Sequence, residues 1–187
     1  GELAKGRPFG ACWFQRQDGA MVWSLRSDAE GVDVSEIAKK YGAKVFKRKL
    51  DDFATQRNFG LTKVTGDWVL FVDADERVPK ELAHEIVEAI NTEDKFFYKI
   101  PRKNKIFGKY LEHTDWYPDY QYRLFEKGEG KWGRKVHEQL ESKRSGKQLE
   151  KPLLHDNYDT VQQLIDKNFG IYADYEAELL ISSGYKL

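Results

Sequence analysis

The clearest pattern of apolar and polar positions is an apolar run at positions 68–72, preceded by Gly66-Asp67 and followed by acids. Five consecutive apolar residues are too few for a helix of ordinary length and are typical of a strand buried on both faces, as in a parallel sheet. Three acids follow the run within four residues: Asp73, Asp75 and Glu76. Because ligands of open α/β sheets bind beyond the carboxyl ends of the strands, this pattern predicts a site there.

The two aspartates of this segment allow two interpretations. If the backbone stays extended, Asp73 and Asp75 project to the same side. Two carboxylates at a strand end suit a hard divalent cation and a ligand that carries phosphate. Alternatively, the acids form the N-terminus of the next helix, where the helix dipole favours negative charge.

The chain before this strand predicts short elements. Strands are expected at 11–14, 20–25 and 43–46, and a short helix at 35–41. A second helix is expected from Asp52 to about Thr65, with Phe53, Leu61 and Val64 facing inward.

The chain after the acids begins with an amphipathic helix. Pro79 suits its first turn, and Leu82, Ile86 and Ile90 recur every four residues, with Ala83 and Val87 beside them. The period then changes to two, which predicts a strand at 96–100 that ends at Pro101, and then a loop at 104–113. A hairpin of strands at 120–126 and 135–141 should follow, and a capping box of Thr160 and Gln163 should open a final helix.

This order of elements predicts the fold class and the domain organisation. Alternating strands and helices, then a mixed β region and a closing helix, are typical of an α/β sandwich with a mixed central sheet. A length of 187 residues suits one domain. We divide it into an atypical N-terminal segment (1–33), a core (34–158) and a C-terminal helix (159–187).

Composition narrows the functional classes. Lysine plus arginine and aspartate plus glutamate number 31 each, so net charge predicts no nucleic-acid partner. The single cysteine, Cys12, excludes an internal disulfide and suits a reducing compartment. No apolar run approaches the roughly 20 residues of a membrane-spanning helix, and the N-terminus has no signal-peptide core. A soluble, cytoplasmic protein is therefore expected.

Five ordered motifs carry a resemblance to a known family. They are Ser35-Glu36-Ile37-Ala38-Lys39-Lys40-Tyr41-Gly42-Ala43, Gln56-Arg57-Asn58-Phe59-Gly60, the strand and acids of 66–76, Tyr117-Pro118-Asp119-Tyr120-Gln121-Tyr122-Arg123-Leu124-Phe125, and Val136-His137-Glu138. Together, over about 34–180, the chain resembles the family 2 glycosyltransferases, and specifically the branch of lipopolysaccharide-core glucosyltransferase-like enzymes.

The resemblance implies a fold, a reaction and partners. The fold would be GT-A, the Rossmann-like fold of nucleotide-diphospho-sugar transferases. The reaction would be an inverting transfer of a hexose from a UDP-linked donor to a glycan or lipid-linked acceptor of the cell envelope. A divalent cation, Mn²⁺ or Mg²⁺, would offset the charge of the leaving group. The acceptor would bring the protein into peripheral contact with the inner face of the cytoplasmic membrane.

The resemblance also implies residues for the cation and the nucleotide. Asp75 matches the likelier metal ligand and Asp73 lies nearer the ribose, with His155 as a further ligand. Arg57 and Asn58 match a segment that lies against the donor, and Arg123 would face the diphosphate. Each has a structural alternative: helix-surface pairing for Arg57 and Asn58, a cross-strand ion pair for Arg123, and packing for His155.

Inversion requires a base that takes a proton from the acceptor. Glu138 shares a strand face with Val136 and Leu140, and partial desolvation between apolar neighbours would raise its pKa. The alternative for Glu138 is an ion pair with Lys135 or Arg134 at the rim, and Asp119 is the competing base. Trp116 flanks Asp119 and would contact the acceptor, because an aromatic ring with a polar edge suits a sugar face or a membrane boundary. The alternative for Trp116 is packing in the core.

The N-terminal segment departs from the family pattern. The first nucleoside-holding motif of relatives is not recognisable in 1–33, and the second is echoed only at 25–30, with Arg26 or Ser27 where an aspartate is expected. A catalytically degenerate relative that acts as a binding module is therefore the alternative function. A nucleotidyltransferase is a third possibility, although no glycine-rich, lysine-bearing phosphate loop precedes the acids. The donor sugar, the acceptor and the oligomeric state are not predicted.

Overall fold

The computed structural model describes most of the core of the chain. The described residues are 10–14, 21–25, 39, 43–46, 48, 52–73, 75–93, 97–113, 116–133, 139–142 and 146–166, with 169, 173, 177, 180, 181 and 184. Of the helix predicted at 35–41, only Lys39 is described, and it is helical. The division into an N-terminal segment, a core and a final helix stays a prediction.

Most strands form one ten-stranded sheet. Its order is β3-β2-β1-β4-β8-β6-β12-β5, and β7 and β11 also pair with β6. The strands are β1 (Gly10–Phe14), β2 (Met21–Leu25), β3 (Lys44–Val45), β4 (Trp68–Asp73), β5 (Glu76–Arg77), β6 (Phe97–Ile106), β7 (Lys109–Tyr110), β8 (Asp119–Glu126), β11 (Gly146–Gln148) and β12 (Leu153–Tyr158). A separate two-stranded sheet pairs β9 (Lys131–Gly133) with β10 (Gln139–Glu141).

The directions of the strands bring one set of ends together. β1 and β8 run antiparallel to their neighbours, while β2, β3, β4, β6 and β12 share one direction. The carboxyl ends of β4, β6 and β12 therefore meet the beginning of β8 at the same edge of the sheet. This arrangement confirms the predicted α/β fold with a mixed central sheet.

Strand β4 is buried on both faces, as predicted. Val69 and Phe71 pack into a cluster that includes Ala54 of the preceding helix, whereas Leu70 and Val72 pack on the opposite side. The predicted parallel neighbours are wrong, because β1 and β8 both run antiparallel to β4. Its apolar run reflects burial of both faces of the sheet. That burial does not depend on whether the neighbouring strands run parallel or antiparallel to β4.

Helix α1 (Phe53–Leu61) covers one face. It begins where predicted, because the carboxylate of Asp52 accepts a hydrogen bond from the backbone N–H of Thr55 at 2.7 Å. It ends at Leu61 rather than near residue 65. The predicted inward face is wrong in part: Phe53 is half-buried, and the buried residues include Gln56 and Arg57.

Helix α2 (Lys80–Ile90) covers the other face. Leu82 and Ile86 are buried as predicted, but Val87 is 40% exposed. The helix begins four residues after Glu76, so the alternative that the three acids form its N-terminus is wrong. Glu81, Glu85 and Glu88 are predicted to form the solvated face of this helix, but the carboxylate of Glu85 also accepts the backbone N–H groups of Glu150 and Lys151 at 2.7 and 2.8 Å.

Strand β6 continues past the proline that was expected to end it. Pro101 lies between the registers of two partners, since β11 pairs with β6 as far as Lys99 and β12 begins opposite Arg102. Pro101 therefore lies where β6 changes partner, at a point where neither β11 nor β12 pairs with it. The missing N–H of Pro101 costs no ladder hydrogen bond to either of them there, so the strand can continue. The predicted loop at 104–113 is wrong: β6 turns at Phe107-Gly108, where both φ angles are positive (49° and 81°), into β7.

The predicted hairpin of strands at 120–126 and 135–141 is also wrong. β8 lies inside the large sheet between β4 and β6, and β10 pairs with the intervening β9 instead. Sequence periodicity located the strands but contained no information about their partners.

The C-terminal region opens with helix α3 (Val161–Asp166). Its predicted cap is present, because the hydroxyl of Thr160 accepts the N–H of Gln163 at 3.2 Å. The sequence also predicts an apolar stripe of Val161, Ile165, Phe169, Tyr172 and Leu179 along the final helix. Where the stripe is described it faces outward, since Val161, Ile165 and Phe169 are 59%, 42% and 78% exposed. No helix within the described ranges is long and apolar enough to span a membrane.

Candidate functional site

Charged side chains from four strands converge at the sheet edge where β4 ends. Asp73 is the last residue of β4, and Glu76 begins β5. Arg123 reaches them from β8, and Arg102 reaches Glu76 from β6. The strand-end position predicted from the apolar run is therefore where these side chains meet.

Asp73 is held by two arginines. The Nη2 atom of Arg123 donates to Oδ2 of Asp73 at 2.6 Å, and that of Arg57 donates to Oδ1 at 3.1 Å. Burial alone would raise the pKa of Asp73, but the guanidiniums of Arg123 and Arg57 outweigh it and hold the pKa well below its usual range. Asp73 is therefore an ionised anchor for two cationic side chains.

Glu76 occupies the buried end of the same network. Its carboxylate is inaccessible to solvent, and Oε1 accepts from Nη2 of Arg123 at 2.6 Å. Burial raises the pKa of Glu76, which Arg123 opposes and the neighbouring Asp73 carboxylate reinforces. Arg123 thus bridges two carboxylates, which is the cross-strand ion pair considered from the sequence.

Arg57 and Asn58 extend from α1 toward different partners. The guanidinium of Arg57 packs against the rings of Phe71 and Trp132, with centroid distances of 5.5 and 4.8 Å. Asn58 bonds the backbone of Trp132 in both directions, donating at 2.8 Å and accepting at 2.9 Å. Asn58 therefore attaches β9 to the helix, and its place beside a nucleotide stays a prediction.

Asp75 lies against an imidazole rather than against the arginines. Oδ2 of Asp75 is 3.3 Å from Nε2 of His155, and the backbone N–H of Asp156 donates to the Asp75 carbonyl at 2.9 Å. On its other side, Nδ1 of His155 lies 2.5 Å from Oδ1 of Asn104. The two acids of the Asp-Ala-Asp segment thus have different environments.

The pair of Asp75 and His155 fits a divalent cation by its donor atoms. Carboxylate oxygens and imidazole nitrogens bind such ions at about 2.0–2.2 Å, so two donors at a right angle lie roughly 3 Å apart. Asp73 fits less well, because both its oxygens accept from arginine. Within the part of the chain that the structure describes, no three His, Cys, Asp or Glu side chains group as a cation site.

Asp119 begins β8 beside this cluster. One oxygen accepts from Nε and Nη2 of Arg102 at 2.8 and 2.5 Å, and the other accepts from Gln121 at 2.6 Å. Burial raises the pKa of Asp119, but Arg102 and the hydrogen bonds lower it below its usual value. This carboxylate is therefore a weaker proton acceptor than an unpaired aspartate.

The remaining predicted residues fall in two groups. Trp116 is described and 41% exposed, and its backbone carbonyl accepts from the amide of Asn104 at 2.8 Å. Glu138 and its neighbours at 134–138 lie outside the described residues, as does the segment 26–30.

β2 ends at Leu25, paired with Gly10, one residue from the pairing of Ala11 with Asp73. The last described residue of β2 therefore lies one strand away from Asp73.

Sequence reasoning gave no role to Arg102 or Asn104. Because Pro101 was taken as the end of the strand, Asn104 was predicted to lie in a loop and Arg102 fell between the two predicted elements. The available signal was the period of two continued past the proline, which places Arg102 and Asn104 on one face, but its meaning depended on the neighbours β8 and β12.

Comparisons with known proteins identify the family of this chain. A family model described as Glycosyl transferase family 2 matches residues 28–169. Two proteins named uncharacterized glycosyltransferases, from Rickettsia conorii and Rickettsia typhi, are 38% identical over 72 residues and 31% identical over 87 residues. The alignments cover 37% and 41% of this chain, but only 26% and 30% of the relatives, so the chain spans less than a third of their length. The family match covers most of the chain and confirms the predicted family and enzyme class: this chain belongs to glycosyltransferase family 2.

Proposed function

We propose that this chain forms the donor and cation site of an inverting glycosyltransferase. The enzyme would transfer a hexose from a UDP-linked donor to a glycan or lipid-linked acceptor of the cell envelope. The lipopolysaccharide-core branch, suggested by the five motifs, gives the class of acceptor. The observation that carries this proposal is the placement of Asp75 and His155, 3.3 Å apart, where Asp75 follows the end of β4 and His155 lies within β12.

Asp75 and His155 would hold a divalent cation, Mn²⁺ or Mg²⁺, which family 2 enzymes commonly use. When bound, the cation supplies positive charge that stabilises the diphosphate leaving group. Asp73, fixed by Arg57 and Arg123, keeps two guanidiniums beside this position, where they add further positive charge. We therefore assign Asp73, Arg57, Asn58 and Arg123 to the nucleotide side of the site.

The proton of the acceptor hydroxyl would pass to Glu138. Asp119 is the weaker candidate, because Arg102 and Gln121 engage both its oxygens and its pKa is lowered. A general base works best with a pKa near the operating pH. Asp119 instead orients Arg102 and the start of β8.

The acceptor would approach past Trp116. Its side chain is 41% exposed beside Asp119, and the β6–β7 turn presents Phe107 at 48% exposure. Lys109 follows that turn and is exposed. Aromatic and basic groups together suit the sugar and phosphate groups of an amphiphilic acceptor, and they suit a peripheral contact with the cytoplasmic face of a membrane.

The test is ligand-dependent stabilisation of the chain. UDP with Mn²⁺ should raise the melting temperature, because a ligand at 100 times its Kd adds about 2.7 kcal/mol to the unfolding free energy. UDP with EDTA and uridine with Mn²⁺ are the matched controls, since each lacks one half of the proposed complex. No shift with any nucleotide diphosphate would overturn the donor site.

The altered N-terminal motifs favour one alternative, a binding module without turnover. A panel of nucleotide sugars separates the two functions by measuring release of the nucleoside diphosphate with and without a glycan acceptor. Stabilisation by UDP without turnover would favour the binding module.

A further inference from the structure

Asn104 lies beside His155 in the interior of the sheet. The two residues are in register between β6 and β12, and they are 2% and 5% exposed. A side-chain amide at such a position needs partners for its donors and its acceptor, because a buried polar group without them is costly. The partners of Asn104 determine how its amide is oriented.

The amide nitrogen of Asn104 faces two oxygen acceptors. It donates to the backbone carbonyl of Trp116 at 2.8 Å, and its hydrogen bond to Asp119 helps to lower the pKa of that carboxyl. Neither acceptor carries a proton to donate, so the nitrogen and not the oxygen must face them. Oδ1 of Asn104 is then left for Nδ1 of His155, at 2.5 Å.

This orientation determines the tautomer of His155. An amide oxygen only accepts, so the hydrogen of the His155 ring must reside on Nδ1. In the neutral ring Nε2 then carries a lone pair, and it points toward Oδ2 of Asp75 at 3.3 Å. Two acceptors at that distance repel each other unless a proton or a metal cation lies between them.

We propose that Asn104 is a positioning residue, which fixes His155 in the tautomer that presents Nε2, together with Asp75, to a divalent cation. The inference rests on the proposed function, because it assigns that cation to Asp75 and His155. It adds a residue that contacts neither the cation nor the substrate. Partners of this kind orient metal-binding histidines, and their loss typically weakens metal affinity by about 10- to 100-fold.

The first experiment measures the tautomer in the wild-type, metal-free chain. Long-range ¹H–¹⁵N spectra, recorded about two pH units above the ordinary histidine pKa of about 6.5, report which ring nitrogen carries the hydrogen. The His155 signal is assigned by its loss in His155→Gln, since the chain has four histidines. We expect the hydrogen on Nδ1, and a hydrogen on Nε2 would overturn the inference whether or not a metal binds.

The second experiment compares two variants in Mn²⁺ binding, followed by electron paramagnetic resonance. Asn104→Leu should weaken the Kd about 10- to 100-fold. Gln121→Leu is the matched control, because it also removes an amide bonded to Asp119 but leaves His155 untouched. We expect its Kd to stay within about twofold of wild type. Equal effects of the two variants would overturn the inference.

The two experiments also separate failure of this inference from failure of the proposed function. A wild type that binds no Mn²⁺ would contradict the cation site, while the tautomer measurement still decides whether Asn104 orients the ring. If a folded Asn104→Leu variant binds Mn²⁺ as tightly as the wild type, the cation site stands but Asn104 has no role in it. If Asn104→Leu does not fold, the tautomer decides alone.

Discussion

Nε2 of His155 lies 3.3 Å from Oδ2 of Asp75, and the two residues belong to segments that are about 80 positions apart in the chain. The backbone reinforces this contact, because the N–H of Asp156 donates to the carbonyl of Asp75 at 2.9 Å. The distance suits two ligands of one cation. It also makes the pair the most direct target for testing the proposed site.

Asp75→Ala should abolish Mn²⁺-dependent binding of UDP and leave the fold intact. The Asp75 carboxylate lies at the sheet edge, and the hydrogen bond of its backbone carbonyl survives the substitution. Calorimetric titration and a thermal melt measure the two quantities. Asp67→Ala is the control, since Asp67 is an exposed acid just before the same strand. Unfolding of the Asp75 variant, or unchanged binding, would contradict the assignment.

Arg123→Met should destabilise the protein strongly. It would leave Asp73 and Glu76 without the guanidinium that bridges them, and breaking a buried ion pair costs about 3–5 kcal/mol. Arg77→Met is the matched control, because Arg77 pairs with Asp156 but its side chain is 59% exposed. Its loss should cost about 0–1 kcal/mol. Urea denaturation measures both, and similar costs would show that the Arg123 network adds little stability.

Acid should remove the stabilisation that Asp73 provides. Its folded pKa lies below the unfolded value of 3.8, so the contribution is complete above about pH 4 and is lost as the pH falls toward the folded pKa. Glu76 acts with the opposite sign, because its raised pKa makes ionisation costly to the folded state as the pH rises above 4.5. Asp73→Asn should flatten the decline of the unfolding free energy below about pH 4, and Asp67→Asn should not. A slope unchanged in Asp73→Asn would argue against this ion pair.

Glu138→Gln should lower turnover by roughly 10² to 10⁴ and leave donor binding unchanged, as expected for the loss of a general base. Asp119→Asn is the comparison, because Asp119 is already engaged by Arg102 and Gln121. We expect it to change kcat less than Glu138→Gln does. Steady-state kinetics with donor and acceptor measure the difference, and the reverse ranking would assign the base to Asp119.

Trp116→Ala should raise the KM for an amphiphilic acceptor and reduce association with anionic liposomes. The side chain is 41% exposed, and the carbonyl that Asn104 requires belongs to the backbone and is kept. Val161→Ala is a control for loss of exposed apolar area elsewhere, since Val161 is 59% exposed on α3. A folded Trp116 variant with unchanged acceptor kinetics and liposome association would contradict this contact.

The sequence alone predicted where the charged side chains of the candidate site meet and some of the acids among them. The apolar run of β4 could be recognised because both faces of that strand are covered, so burial is recorded in consecutive residues. The acids after it marked the strand end, and α2 could be recognised from Leu82, Ile86 and Ile90, whose spacing matches a helix with one covered face. These features depend on local periodicity, which a single sequence contains.

Only the tertiary structure decided which side chains meet. Arg123 bridges Asp73 and Glu76 because β8 lies beside β4, and Asn104 orients His155 because β12 pairs with β6. Strand order joins residues that are about 50 positions apart in these contacts, and no periodicity records it. Pro101 also shows that local sequence does not determine pairing. A proline interrupts a strand only where a neighbouring strand needs the hydrogen bond that its missing N–H would donate. The sequence therefore determined the elements and the strand-end acids, while the order of the strands determined the partners that give those acids different environments.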